Sequence, residues 1–166
     1  MCGRYLWRNH SRTCISLAFD EKTNTPAAMA QHRWEHRAQL RADNWTLDFI
    51  ARDVETQELV GVVDLSAENF AAAREVQTAS WVLHRFQGQG YGTLIRQAVA
   101  EFSFSHLDAH SLRTCWIKTN RASARVSEKM GYRIYTEKKE EPAGPEKINR
   151  PVVSARLSAC LLYTSL

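Results

Sequence analysis

Ser80-Trp81-Val82-Leu83-His84-Arg85-Phe86-Gln87-Gly88-Gln89-Gly90-Tyr91-Gly92-Thr93, continued to about Ser105, reads as a strand, a glycine-rich turn and an amphipathic helix. After the turn, Leu94, Ile95, Ala98, Val99 and Phe102 recur at helical spacing, with Arg96, Gln97 and Glu101 expected on the opposite, polar face. Glycines at 88, 90 and 92 remove side chains where successive backbone N–H groups could close on a ligand. The unpaired N–H groups and dipole of the helix start favour an anion there. The stretch predicts a phosphate cradle.

Spacing separates the kinds of cradle. The dinucleotide pattern G-x-G-x-x-G would begin at Gly88 and Gly90 but meets Thr93 where its third glycine belongs, and no Gly-Lys-Ser/Thr of a nucleotide-triphosphate loop occurs. The pattern Q/R-x-x-G-x-G/A does fit, with Gln87-Gly88-Gln89-Gly90-Tyr91-Gly92 in register and a second, overlapping match starting at Arg85. Further on, Asn120-Arg121-Ala122-Ser123 opens a helix that ends at Gly131-Tyr132. In these two segments the chain resembles the GNAT superfamily of acetyl-coenzyme A dependent N-acetyltransferases, and within it the Rim-type branch that acetylates ribosomal-protein N-termini. The resemblance covers roughly residues 34–158. It implies that Gln87, Gly88, Gln89, Gly90, Gly92, Thr93 and Asn120 contact the cofactor, with its pyrophosphate on the glycine turn. It also implies an oxyanion donor from the backbone of Val82 and Leu83.

Composition sets the outer bounds. A chain of 166 residues, 44% hydrophobic, can bury one core, so a single domain over 1–166 is expected. No apolar run reaches membrane-span length and the charged N-terminus does not resemble a signal peptide, so no membrane partner and a cytoplasmic location are expected. Cys2, Cys14, Cys115 and Cys160 lack C-x-x-C spacing, which points to reduced thiols, with no disulfide framework and no metal site. The formal charge is +4, but Lys and Arg are interspersed with Asp and Glu, and a polyanionic cofactor accounts for some of the excess; no nucleic-acid partner is expected.

The rest of the chain arranges itself around the cradle. Thr25-Pro26 starts a helix to about Leu40, in which Trp34 reads as a packing residue. Residues 45–53 alternate as a half-buried strand with Trp45, Leu47, Phe49 and Ala51 inward, and 59–65 return as an apolar strand after a polar turn. A short connection then leads into the strand beginning at Glu75. Strands follow over 112–118, 132–138 and 152–158. The strand–helix–strand unit through the cradle demands a parallel pair with a right-handed crossover. The resemblance implies an α/β fold of GNAT type: a mixed central sheet flanked by helices, its parallel pair splayed where acyl-CoA enters. Residues 1–25 leave little room for that family's first strand and helices, and 159–166 carry no pattern, so incomplete or altered ends are expected.

Acetyl transfer from a thioester to an amine needs a neutral amine, a donor for the tetrahedral oxyanion and a proton for the departing thiolate. Glu75 is the first candidate base, against two objections. It lies eight residues before Leu83, roughly 26 Å at strand rise, and a salt bridge with Arg74 or Arg113 would explain it equally well. His84 is the second candidate. Ser123 and Ser127, one helical turn apart, are the candidate acids, Ser123 at the family's Asn-x-x-Ser position; the competing reading makes Asn120 an ordinary N-cap. The sequence thus predicts acetyl-CoA dependent N-acetylation of a primary amine, an α-amine of a protein or peptide before a small molecule. A non-catalytic acyl-CoA-binding module is the alternative, and the oligomeric state is open.

Overall fold

A computed structural model describes residues 26–139 and 151–159. Helix α1 (Pro26–Ala38) precedes the hairpin β1 (Trp45–Arg52) and β2 (Leu59–Ala67). A short α2 (Phe70–Ala73) leads to β3 (Glu75–Val82), and a 3-10 turn (His84–Phe86) leads to α3 (Tyr91–Ser105). The chain then runs through β4 (Ser111–Ile117), α4 (Arg121–Lys129), β5 (Arg133–Lys139) and β6 (Pro151–Ser158). The six strands form one sheet in the order β1-β2-β3-β4-β6-β5, antiparallel except for the pair β3 and β4. This is the mixed sheet expected from the sequence, and the helix of the cradle begins and ends where its periodicity places it.

Strand alternation gives the sheet two faces of different character. Leu65, Val63, Val76, Leu112, Trp116, Val153, Ala155 and Leu157 share one face and form the core with Ile95, Val99 and Ala100 of α3. Phe49 of β1 reaches this face too, edge-on to Phe102 at 5.5 Å. The opposite face carries α1, whose buried His36 meets Asp48 of β1. No helix among the described residues is long and apolar enough to cross a membrane.

Three expectations need correction. Arg96, expected on the polar face of α3, is only 4% exposed, whereas Leu94, expected inward, is 59% exposed. Helix α3 packs against both the sheet and α4, so its buried stripe is rotated to Ile95, Arg96, Val99, Ala100 and Ser103. The Arg96 guanidinium lies 5.0 Å from the centre of the Tyr132 ring, a contact worth about 2 kcal/mol when shielded from water. Trp34 does not pack: it is 66% exposed, and His36 takes the inward position of α1. Trp45, Leu47, Phe49 and Ala51 do share the core face as expected, Trp45, Leu47 and Ala51 half-buried and Phe49 more open, because β1 is the edge strand of the sheet. Cys115 is disulfide-bonded, not a reduced thiol. The expectations for Cys2, Cys14, Cys160, residues 1–25 and the tail at 160–166 lie outside the described residues.

Gly61 fixes how closely β2 and β3 approach at the cradle end. It pairs with Val82, and a Cβ placed on it would lie 2.3 Å from the Trp81 carbonyl oxygen, a backbone atom that cannot swing aside. Gly61→Ala should therefore lower unfolding free energy by about 3 kcal/mol, read as a fall in the urea midpoint. Gly92→Ala, whose Cβ would meet only the Val126 and Val82 methyl groups at 3.6 and 3.9 Å, should cost far less.

Candidate active site

The site begins where the sheet comes apart. Strands β3 and β4 pair only over Glu75–Ser111, Val76–Leu112 and Gln77–Arg113. At the next step two buried threonines take over: Thr78 Oγ1 donates to Arg113 O and Thr114 Oγ1 to Thr78 O, each at 3.3 Å. Beyond them β3 stays with β2 as far as Val82, while β4 stays with β6 as far as Ile117. A wedge-shaped gap opens between the parallel strands and widens toward the glycine turn. Its width, a missing ladder of hydrogen bonds, is what an extended chain such as a pantetheine arm can fill.

At the open end the backbone is committed in part. Leu83 N–H donates to Val60 O at 2.8 Å, so of the two positions expected to supply an oxyanion donor, Leu83 is already engaged with β2. By strand alternation the N–H of Val82 points the other way, into the gap. Gly88 and Gly90 adopt φ of 76° and 91°, which explains why glycine stands at both. Among the described residues, the N–H groups of Gly88, Gln89 and Gly90 donate to no backbone carbonyl, and those of Tyr91 and Gly92 open the helix unpaired. Thr93 N–H, also expected to face phosphate, is taken by Gly90 O at 2.9 Å. A row of amides at a helix start, with no Cβ in front of it, fits the pyrophosphate of acetyl-CoA.

Side chains brace this turn. Gln87 Nε2 donates to Val82 O at 2.9 Å and Gln89 Nε2 to Arg85 O at 2.8 Å, so both glutamines hold the loop's shape. Tyr91, the first residue of α3, donates its hydroxyl to Asp53 Oδ2 at 2.6 Å, tying the helix start to the β1–β2 turn. That hydroxyl, then the N–H and hydroxyl of Thr56, draws the Asp53 carboxyl down to about 2, and Asp53 in turn raises the Tyr91 hydroxyl. The sequence offered no sign of this pair because its members are 38 residues apart.

The other expected residues divide. Asn120 caps α4, its Oδ1 accepting from Ser123 N–H at 3.1 Å. Ser123 is half-buried and Ser127, on the same side of α4, is 1% exposed with no hydrogen-bond partner for Oγ among the described residues. His84 is exposed on the 3-10 turn. Glu75 is not brought to the cradle. It sits at the closed end of the gap, seven residues or roughly 23 Å from Val82. There it bonds Arg156 Nη2 at 2.6 Å and lies 3.7 Å from Arg113 Nε, the structural role weighed against it above.

Sequence reading missed a second carboxylate group. Asp48 and Asp64 are direct cross-strand partners on the α1 face. Asp48 accepts from or shares a proton with His36 Nδ1 at 3.0 and 3.1 Å and lies 3.7 Å from Arg33 Nη1. Burial, followed by the charge and hydrogen bond of Asp48, pushes Asp64 up to about 7. Burial and then the neighbouring His36 lower His32. Period-2 patterning in β1 and β2 could have placed the two aspartates on one face, but only the register puts them opposite each other.

An anion cradle at a helix start beside a split parallel pair defines an acyl-CoA dependent transferase. Residues 6–133 match the acetyltransferase (GNAT) domain, and the chain belongs to that family. It is an N-acetyltransferase with acetyl-CoA as acyl donor. Its fold is similar to that of a spermidine N-acetyltransferase from Vibrio cholerae solved with CoA and spermine, at TM-score 0.71 and 16% identity, covering 85% of this chain and 79% of that one. It is also similar to a Vibrio cholerae protein provisionally named a ribosomal-protein-serine acetyltransferase, at TM-score 0.66 and 20% identity, covering 81% of this chain and 76% of that one. At these identities the likeness shows the fold.

Gly90→Val should abolish CoA binding in calorimetry while leaving the fold cooperative. The added carbon meets no protein atom within 4 Å, so the loss would come from the strained positive φ and from filling the space before the amides. Unchanged affinity in this variant would place the pyrophosphate elsewhere.

Proposed function

We propose that the chain transfers acetyl from acetyl-CoA to the α-amine at a protein or peptide N-terminus, in the manner of the Rim-type branch. The observation that carries this is the charge around the α1 face. Among the described residues, Asp48 lies 3.7 Å from Arg33, Glu75 is paired with Arg113 and Arg156, and α1 exposes Arg37 beside the half-buried Arg33, which leaves the buried Asp64 as the one carboxylate of the sheet on this face without an ion-pair partner. A polyamine carries several positive charges and calls for uncompensated carboxylates. An α-amine carries at most one and, with a reference pKa near 7.7 to 8.0 against about 10.4 for lysine, is partly neutral at working pH. On this reading the enzyme works in the cytoplasm, where new N-termini and acetyl-CoA meet. Val82 N–H would steady the oxyanion and Ser123, the more accessible of the two serines, would protonate the thiolate.

An amine panel followed by CoA release tests the acceptor. At pH 7 short peptides with free N-termini should outpace both spermidine and peptides whose only amine is an internal lysine. A preference for either of the latter refutes the α-amine reading. For the acid, Ser123→Ala should lower kcat by about 10- to 100-fold at unchanged CoA affinity. Ser127→Ala, which removes a buried hydroxyl without a partner, should leave turnover and stability near wild type or raise stability slightly.

A further inference from the structure

Among the described residues the α3 face of the sheet is filled by the apolar core, which leaves the α1 face for an acceptor to approach the gap. On that face, among the described residues, β2 places one carboxylate beside the strand that borders the gap. Asp64 lies opposite Ala79 of β3, whose other edge has no strand partner because β4 has already turned away. β3 at Ala79 separates Asp64 from the gap, so two strand spacings of about 4.8 Å each lie between the Asp64 backbone and the middle of the gap, and its side chain would reach a bound amine through water. Asp64 Oδ1 is buried and has no hydrogen-bond partner among the described residues.

We propose that Asp64, positioned by Asp48 and the buried His36, accepts the proton of the acceptor ammonium; this rests on the amine-acetylation reading above. The ammonium gives one proton to the Asp64 carboxylate. The neutral nitrogen then attacks the thioester carbonyl carbon, the C–N bond forms and the C–S bond breaks. Ser123 gives its hydroxyl proton to the departing thiolate and is reprotonated by the second proton that nitrogen sheds, and Asp64 returns its proton to solvent before the next turnover. The charged groups acting on Asp64 are Asp48 from β1 and Arg33 from α1, with His36 of α1 on the far side of Asp48, while β3 presents Ala79 and Trp81, which do not titrate there. Burial and Asp48 bring the Asp64 carboxyl close to the pKa of an α-ammonium, which is where a general base transfers protons with least loss. Asp48 and His36 are positioning residues: they touch Asp64 or each other, not the substrate.

The test is the pH profile of kcat/KM for the best acceptor of the panel, in wild type, Asp64→Asn and Asp48→Asn. Wild type should show an acid limb near pH 7. Asp64→Asn should lose about 100-fold or more in kcat/KM and lose the limb, at unchanged CoA affinity. Asp48→Asn should move the limb to lower pH, because a like charge is gone; ionisation of the amine itself cannot shift with an enzyme substitution. Folding is checked by melting: Asp64→Asn should match wild type at pH 5 and melt higher at pH 8. Infrared titration should show a carboxyl band changing near pH 7 in wild type and absent from Asp64→Asn. Turnover by Asp64→Asn within twofold of wild type, or an unmoved limb in Asp48→Asn, overturns the proposal. Acetylation of lysine peptides alone would refute the α-amine reading and leave the Asp64 test standing on that amine. A wild type that acetylates no amine overturns both.

Discussion

The parting of β3 from β4 is the constraint on which the rest depends. Two parallel strands left to themselves would continue their ladder, since every unmade backbone hydrogen bond in a sheet interior has a desolvation cost. Here the ladder is stopped after Gln77 and Arg113, and the first lost rungs are replaced by the hydroxyls of Thr78 and Thr114. Threonine suits the place because it keeps β propensity while carrying a donor. On the α1 face Glu75 holds Arg113 of β4 and Arg156 of β6, pulling three strands together at the closed end. A carboxylate that looked like chemistry in the sequence serves instead as the clasp of a hinge. The partnering of β4 by β6, a strand inserted from the far end of the chain, removes the second strand to the other side and keeps the gap open.

The cradle is the other half of the same arrangement. Its amides must stay unpaired yet fixed, and each neighbouring polar group is used to that end. Gln87 occupies the Val82 carbonyl, Val60 occupies the Leu83 amide, and Gly90 occupies the Thr93 amide. What is left without a backbone partner among the described residues is the short run of amides from Gly88 to Gly92, at the positive end of α3. The Tyr91 to Asp53 bond anchors that end to the β1–β2 turn, so the helix start and the sheet cannot drift apart. Preorganised donors of this kind stabilise an anion more than mobile ones because no reorganisation is needed on binding.

The local part of this was legible in the sequence and the nonlocal part was not. The bounds of α3, the capping Asn120 and the glycines at 88 and 90 follow from rules acting over a few residues, and each stands where those rules put it. Arg96 was misplaced because a helical face is defined by its neighbours, and the position of α4 beside α3 is not written in the α3 periodicity. Glu75 was overvalued since distance along a strand was visible but Arg156 was not. The Asp48–Asp64 pair escaped notice for the same reason: cross-strand register is set by the whole hairpin, including the bulge at Arg52, and a shift of one residue would have placed the two aspartates on opposite faces.

Two aspartates in this fold are shifted in opposite directions, and their effects on stability are opposite too. Asp53 binds its proton less tightly folded than unfolded, so what it adds is present above about 3.8 and fades as pH falls toward 2. It is exposed to solvent, and screening keeps that contribution small. Asp64 binds its proton more tightly folded, so its contribution is whole below about 3.8 and is lost as pH rises through about 7. The two are jointly satisfied in mildly acidic solution. At neutral pH the fold carries a partly ionised, partly buried carboxylate held beside a second one, Asp48, a state that Arg33 moderates but does not cancel. A carboxylate in which folding opposes ionisation is one that takes a proton readily, and it lies one strand from the gap where an ammonium has to lose one.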